Sequence, residues 1–376
     1  MKVFNIILML IVLSNLGNLS HSLPDCARQA PTLGDHYGIA YFGVEATYNE
    51  TEIEIHLNIW RSDTQTISTV LPDDINQRSG SVSFSPDGRY VAFNARNRQV
   101  AVANLETGLI QQVTDVYIDL AGTGARVREN YWSPVGGDIV IETREGWFLV
   151  QCNGENWRPI PGRFIQWSDD GTLLVVVLDD ENETLTLVDA NSLEIVKRLT
   201  STLDMQGYVL SPDNKTLAFQ RTVDNELNTY LLDVDTQTVQ TLLENQQVGE
   251  LYSGSPNGDF LLYRLDLGGV PLGHYVIYGL QPLDGDLRFT ESVKILLAEW
   301  LPNNSGLVGS SLEEIEIPDP EISGSVDYLY LNQLYFIPLD CFVSQGECSM
   351  DDFTRIEGVQ MFDLYYDIIS IPAGGS

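Results

Sequence analysis

Basic residues are scarce in this 376-residue chain. Twenty lysines and arginines stand against 53 aspartates and glutamates, a formal charge of −33. A surface this negative excludes nucleic acid and anionic lipid as partners, since both need a basic face. Histidine is scarcer still: past the first 22 residues only His36, His56 and His274 remain. None stands in a His-Glu-x-x-His or His-x-His arrangement. His56 lies inside an alternating stretch and reads as an ordinary strand residue. His274 closes the glycine-rich segment Gly268-Gly269-Val270-Pro271-Leu272-Gly273, which reads as a loop. The chain also lacks a phosphate loop and a dinucleotide fingerprint. Gly254-Ser255-Pro256-Asn257-Gly258 has the spacing of a nucleophile elbow, but it is one phase of a repeat and not an isolated motif. Beyond the N-terminus no apolar run approaches the roughly 18 residues of a spanning helix.

Lys2 followed by the mostly apolar Val3 to Leu16, with Ser20 and Ser22 placed for a cut before Leu23, predicts a signal peptide over 1–22 and a single domain over 23–376. Removing Lys2 takes the charge to −34. The destination is then extracytoplasmic, in a periplasm or outside the cell, with the acidity serving solubility. Only four cysteines are present, an even number that suits an oxidising compartment. Cys341 and Cys348 have a hairpin-like spacing, which leaves Cys26 and Cys152 for each other. Zinc is the alternative, although no Cys-x-x-Cys pair supports it.

What the chain does have is a phrase that returns about every 43 residues. It reads Ser85-Pro86-Asp87-Gly88, Ser133-Pro134-Val135-Gly136, Ser168-Asp169-Asp170-Gly171, Ser211-Pro212-Asp213-Asn214, Ser255-Pro256-Asn257-Gly258 and, degraded, Leu301-Pro302-Asn303-Asn304. A period of 40–50 residues in a β-rich chain points to a propeller with one four-stranded blade per repeat. In the clearest unit Ser81 to Phe84 is the inner strand, Tyr90 to Phe93 a short buried strand and Gln99 to Ala103 a third. A turn over Asn104 to Gly108 leads to the outer strand, Leu109 to Val113. Proline and glycine mark the corner because one fixes φ and the other accepts a positive φ. Leu217-Ala218-Phe219 repeats Val91-Ala92-Phe93, and Asp233 to Thr236 and Asp189 to Ser192 repeat Asn104 to Thr107. The residue before the corner is Phe84, Trp132, Trp167, Leu210, Gly254 and Trp300, a wedge between neighbouring blades. Gly254 breaks the series, with Tyr252 placed to cover for it.

The Ser-Pro-Asp-Gly corner followed by a buried triplet resembles the TolB-like, or WD-like, bacterial propeller family, over roughly residues 36–356. The Gly-His and Trp-Asp pairs of true WD repeats are absent. The resemblance implies a β-propeller and protein partners. No length remains for the hydrolase domain of the prolyl-peptidase relatives or for TolB's extra N-terminal domain.

At the ends, Tyr37 to Phe42, Glu54 to Trp60 and Thr66 to Leu71 read as second, third and fourth strands of a blade without a first. Met361 to Ile371 reads as a strand without a blade. Joining them closes the ring and removes open edges. The expected fold is therefore all-β, a single propeller of seven four-stranded blades, with six as the alternative because the repeat from Trp300 to Ile356 is irregular.

Acidic clusters are the candidate ligand loops. Asp179, Asp180, Glu181 and Glu183 sit between two strands, and Glu313, Glu314 and Glu316 lie in the longest insertion. Oxygen-rich loops suit calcium, though neither has the spacing of a dedicated site and a solvated loop explains both. Arg96, Arg144, Arg221 and Arg264, with His274, are candidates for a basic rim on one face. The 308–326 and 266–274 segments are the candidate contact surface. With no assembled acid, base and nucleophile, the expectation is a monomeric, non-catalytic binding module with no dedicated cofactor, recognising a protein or other extracellular ligand. The alternative is a metal-dependent lyase or lactonase with a divalent cation in the central channel. Sequons at Asn49, Asn182, Asn214 and Asn303 carry no weight for either.

Overall fold

The computed structural model describes residues 36–45, 54–69, 82–95, 99–105, 107–113, 129–143, 145–202, 205–224, 226–244, 249–270, 273–283, 288–289, 295, 297–318, 326–343, 349–357, 359 and 361–371. Strands β1 (His36–Glu45), β2 (Glu54–Arg61) and β3 (Thr66–Thr69) form an antiparallel meander with no inner strand of their own. Five complete four-stranded blades follow. Blade two is β4 (Val82–Phe84), β5 (Tyr90–Ala95), β6 (Gln99–Asn104) and β7 (Ile110–Gln112). Blade three is β8 (Asn130–Trp132), β9 (Asp138–Thr143), β10 (Gly146–Gln151) and β11 (Arg158–Pro159). Blade four is β12 (Arg163–Trp167), β13 (Leu173–Val177), β14 (Thr184–Asp189) and β15 (Ile195–Ser201). Blade five is β16 (Met205–Leu210), β17 (Thr216–Val223), β18 (Glu226–Asp233) and β19 (Val239–Leu243). Blade six is β20 (Glu250–Gly254), β21 (Phe260–Val270), β22 (Gly273–Pro282) and β23 (Arg288–Phe289).

Blade seven is β24 (Leu297–Trp300), β25 (Gly306–Pro318), β26 (Val326–Pro338) and β27 (Thr354–Arg355). A helical turn, α1 (Leu339–Val343), and a 3-10 turn at Met350–Asp352 lie between β26 and β27. The last strand, β28 (Met361–Ile371), pairs with β1 and supplies the missing inner strand of blade one. The ring therefore has seven blades, closed by the two ends of the chain in one sheet, and the six-bladed alternative is set aside. A single pairing, Asn332 with Met361, also ties β28 to β26, so blades seven and one run together as one eight-stranded sheet.

The apolar residues gather into seven seams, one between each pair of neighbouring blades. The residue before each corner points into the seam with the preceding blade. Phe84 packs against Ala40, Leu57 and Ile59, and Trp132 stacks on Tyr90 with ring centroids 6.5 Å apart. Each fully buried Val, Leu or Phe contributes about 1.5–3 kcal/mol of transfer free energy, so the seams hold the ring. One seam is thin. Among the described residues the seam between blades five and six holds five buried residues, where the others hold eight to ten.

Candidate functional site

The recurring serines and aspartates are first of all corner pieces. Ser85 Oγ donates to Asp87 Oδ1 at 2.6 Å and accepts the Tyr90 N–H at 2.9 Å, while Asp87 Oδ1 accepts the Arg89 N–H. The same three links recur at Ser168, Asp170, Thr172 and Leu173, and at Ser211, Asp213, Lys215 and Thr216. Asn257 replaces the aspartate beside Ser255 with the same geometry. The fourth corner residue is left-handed every time: Gly88, Gly136, Gly171, Asn214, Gly258 and Asn304 have φ between 58° and 76°. That is why the position alternates between glycine and asparagine. Ser255 is thus a buried corner hydroxyl engaged on both sides, which accounts for the elbow-like spacing around it. The turns between third and fourth strands use a second device. Asn104, Asp189 and Asp233 each accept the N–H three residues on, at 2.7–2.9 Å.

Corners lie at one end of the second strand of a blade, so the hairpin joining second and third strands lies at the opposite face. That hairpin is short in blade two, whose β5 and β6 have six residues each. It is long in blade six, with strands of 11 and 10 residues, and longest in blade seven, with 13 and 13. Beyond Arg264, β21 pairs with β22 alone among the described residues, and beyond Ser310, β25 pairs with β26 alone. The two ribbons rise past the ring beside blade one, whose β1 and β28 are also long. The described parts of the segments 308–326 and 266–274, expected as an insertion and a loop, are largely regular ladder. His274 lies in β22 opposite Gly269, next to a register shift between Asp266 and Gly269. Glu313, Glu314 and Glu316 lie in β25, opposite Leu331, Tyr330 and Tyr328.

Asp180 is occupied by its own turn. Its carboxylate accepts the N–H groups of Asn182 and Thr184 and the Thr184 hydroxyl, and it meets Arg198 Nη1 at 2.9 Å. Asp179, Glu181 and Glu183 lie in the same exposed turn without a gathered set of oxygens. Among the described residues no three His, Cys, Asp or Glu side chains come together as a metal centre would require. Arg221 lies in β17 and Arg264 in β21, both half-buried. Aligning the two blades on their pairs Leu210–Leu217 and Gly254–Leu261 places Gln220, not Arg221, at the station of Arg264. The two arginines therefore alternate between sheet faces, and Arg221 stacks over Phe219 at 5.5 Å. Arg96 and Arg144 lie outside the described residues, as do the 1–22 segment, Cys26 and Cys348. Cys152 and Cys341 are buried, and neither is a free thiol.

A further feature escaped the sequence reading. On the corner face a cleft of about 810 Å³ opens along the inner strands of blades four, five and six. It reaches into the seam where Gly254 replaces the bulky wedge. Tyr252 does not refill that gap. A register shift between Leu251 and Ser253 takes Tyr252 out of alternation, and its ring packs with Trp300 and Phe260 towards blade seven. Burial there, reinforced by the nearby Glu299 charge, pushes its phenol up to about 12. Val209 approaches instead: a Cβ at Gly254 would stand 2.8 Å from Val209 Cγ1. The legible signal was the break in the wedge series at Gly254.

No family model and no curated protein matches this chain. Solved structures do. TolB from Acinetobacter baumannii is similar at 18% identity and a TM-score of 0.42, over 68% of this chain and 64% of that one. This chain therefore spans less than two thirds of that protein. Oligogalacturonate lyase from Vibrio parahaemolyticus is similar at 16% identity and a TM-score of 0.51, over 83% and 85% of the two chains. An oligogalacturonate lyase in complex with manganese follows at 15% identity and a TM-score of 0.50, over 81% and 82%. The chain is a seven-bladed β-propeller with TolB proteins among its structural neighbours. At these identities the likeness is one of fold.

Proposed function

We propose that this propeller is an extracytoplasmic, non-catalytic binding module for a protein partner, acting as a monomer after loss of residues 1–22. The observation that carries the reading is the pair of long ribbons on the face opposite the corners. Strands of 13 residues reach well past a ring in which the second and third strands of blades two to five have five to eight residues. Ribbon edges that pair with no third strand over most of their length among the described residues suit recognition of another polypeptide. The serines and aspartates that might have assembled a catalytic group are held in the corners instead. The resemblance to TolB-like propellers in the corner motif points the same way. An oxidising compartment would pair Cys26 with Cys152 and Cys341 with Cys348, and peptide mapping without reduction checks both pairs.

The test is excision of the ribbon tip. Residues 313–331 are removed, and Leu312 is joined to Asn332 by Asn-Gly, a two-residue hairpin turn. The pairing of Asn332 with Met361 stays in place. The variant is expected to melt like the parent and to lose the partner captured by the parent from native extract. Unchanged capture by the folded variant overturns the reading. The alternative, a lyase with calcium or manganese in the channel, draws on the name of a neighbour. A polyuronate substrate would meet a chain of charge −33. Melting across calcium and manganese titrations tests it, because an ion that binds the native state raises the midpoint with concentration.

A further inference from the structure

We infer that the cleft across blades four, five and six is a binding site for an organic cation, an ammonium or guanidinium group carried on an apolar stem. The inference concerns the corner face and stands apart from the ribbons. Three observations carry it. The cavity, about 810 Å³, has the size of a small-molecule site and arises from a specific change, glycine at the one wedge position where the other blades carry Phe, Trp or Leu. Among the described residues its walls bear two carboxylates, Asp169 and Asp213, and no lysine, arginine or histidine. Both aspartates are solvent-exposed, so their carboxylates are open to a ligand in the cleft.

The chemistry of the walls selects the sign. Asp213 is held ionised by the Ser211 hydroxyl first, then by the Lys215 N–H and charge. Asp169 is pushed the other way, by burial first and then by the charge of Asp170 beside it. A cation entering the cleft relieves that second carboxylate, whereas an anion adds to it. Trp167 lines the wall from blade four, its indole N–H bonded to the Tyr131 carbonyl at 3.4 Å. The apolar seam below accepts the stem. Two sources share this chemistry: a free amine, and the side chain of a basic polypeptide.

Calorimetric titration of the full chain with 1,5-diaminopentane, with a Gly-Gly-Lys-Gly-Gly peptide and with hexanoate tests the site. At least one of the two amines is expected to saturate at one site while hexanoate does not. The peptide binding alone would identify a polypeptide source, and the diamine alone a free amine. The D169N/D213N pair is expected to weaken binding at least tenfold, about 1.4 kcal/mol. The D179N/E181Q pair, in the turn on the opposite face, is expected to leave binding unchanged and so separates the cleft from the general charge of the protein. Refilling the wedge with G254L, with V209A to make room, is expected to abolish binding. Saturation by neither amine, equal binding of hexanoate, or equal weakening by the two acidic pairs would overturn the inference. The D169N/D213N arm decides even where the refilled wedge fails to fold.

Discussion

Replacing Ser85 with alanine removes one oxygen from one corner and should unsettle a whole seam. Ser85 is 3% exposed and Tyr90, whose N–H it accepts, is equally buried. Taking the acceptor away from a buried N–H costs about 1–3 kcal/mol. Asp87 also loses its 2.6 Å donor, a charge-assisted bond of the stronger class, though water partly replaces it at a half-buried carboxylate. Together these predict a loss of about 2–3 kcal/mol, near a factor of 30–150 in the unfolding equilibrium. Ser192→Ala is the comparison. That serine donates to Asp189 at 3.1 Å in an exposed turn, and its loss should cost about 0.5 kcal/mol. Urea unfolding followed by tryptophan fluorescence measures both. The S85A/D87A double variant should cost less than the two single changes together, by about 1 kcal/mol, since each removes the same bond. If S85A costs no more than S192A, the corners are not what holds the repeat and the account of the motif fails.

Acid should weaken the fold through the same turns. Asp189 and Asp213 sit below the ordinary carboxylate range, held by hydrogen bonds from Ser192 and Ser211, and Asp63 is pulled to about 2 chiefly by the Arg61 hydrogen bond. Their contribution is complete above about pH 4 and is lost as pH falls towards 2, which a series of melts will show. Tyr252 and Tyr263 are raised to about 12, mainly by burial, so stability should fall as pH climbs from about 10 to 12, with phenolate absorbance as the readout. Asp169→Asn should raise the midpoint at pH 7, because the raised carboxyl penalises the charged form in the fold; the gain should vanish below about pH 4. Trp132→Ala should cost about 3–5 kcal/mol, since the ring fills the seam against Tyr90. A cost under 1 kcal/mol would refute the wedge role.

The legible parts of the fold were those whose chemistry is local. Ser85, Asp87 and Gly88 satisfy one another within six residues, so the corner can be read from the letters alone. The closing strand was legible for a different reason: residues 361–371 had strand character and no blade, while β1 lacked an inner neighbour. The ribbons were not legible. Glu313 to Glu316 and Gly268-Gly269 have poor strand propensity, and their pairing is carried outward from Gly306–Pro338 and Phe260–Pro282, where the ladder is anchored in the seams. The cleft was half legible. A missing wedge at Gly254 shows in the sequence. That Tyr252 fails to cover it depends on a register shift that no period-two reading reveals.

The corners also change how the acidity of the chain should be read. Asp87, Asp170, Asp213, Asp189 and Asp233 each accept backbone N–H groups in a turn, so part of the negative charge of the chain also builds the ring. Neutralising those positions should lower stability even as it lowers repulsion. Asp169 has no such duty. It stands one residue before the corner aspartate Asp170, where Ser85, Ser133, Ser211 and Ser255 are all followed by proline, and it lines the cleft. The acid that the fold does not use and the wedge that the fold omits line the same cleft. That coincidence is what a binding site requires and what a purely structural repeat has no reason to produce.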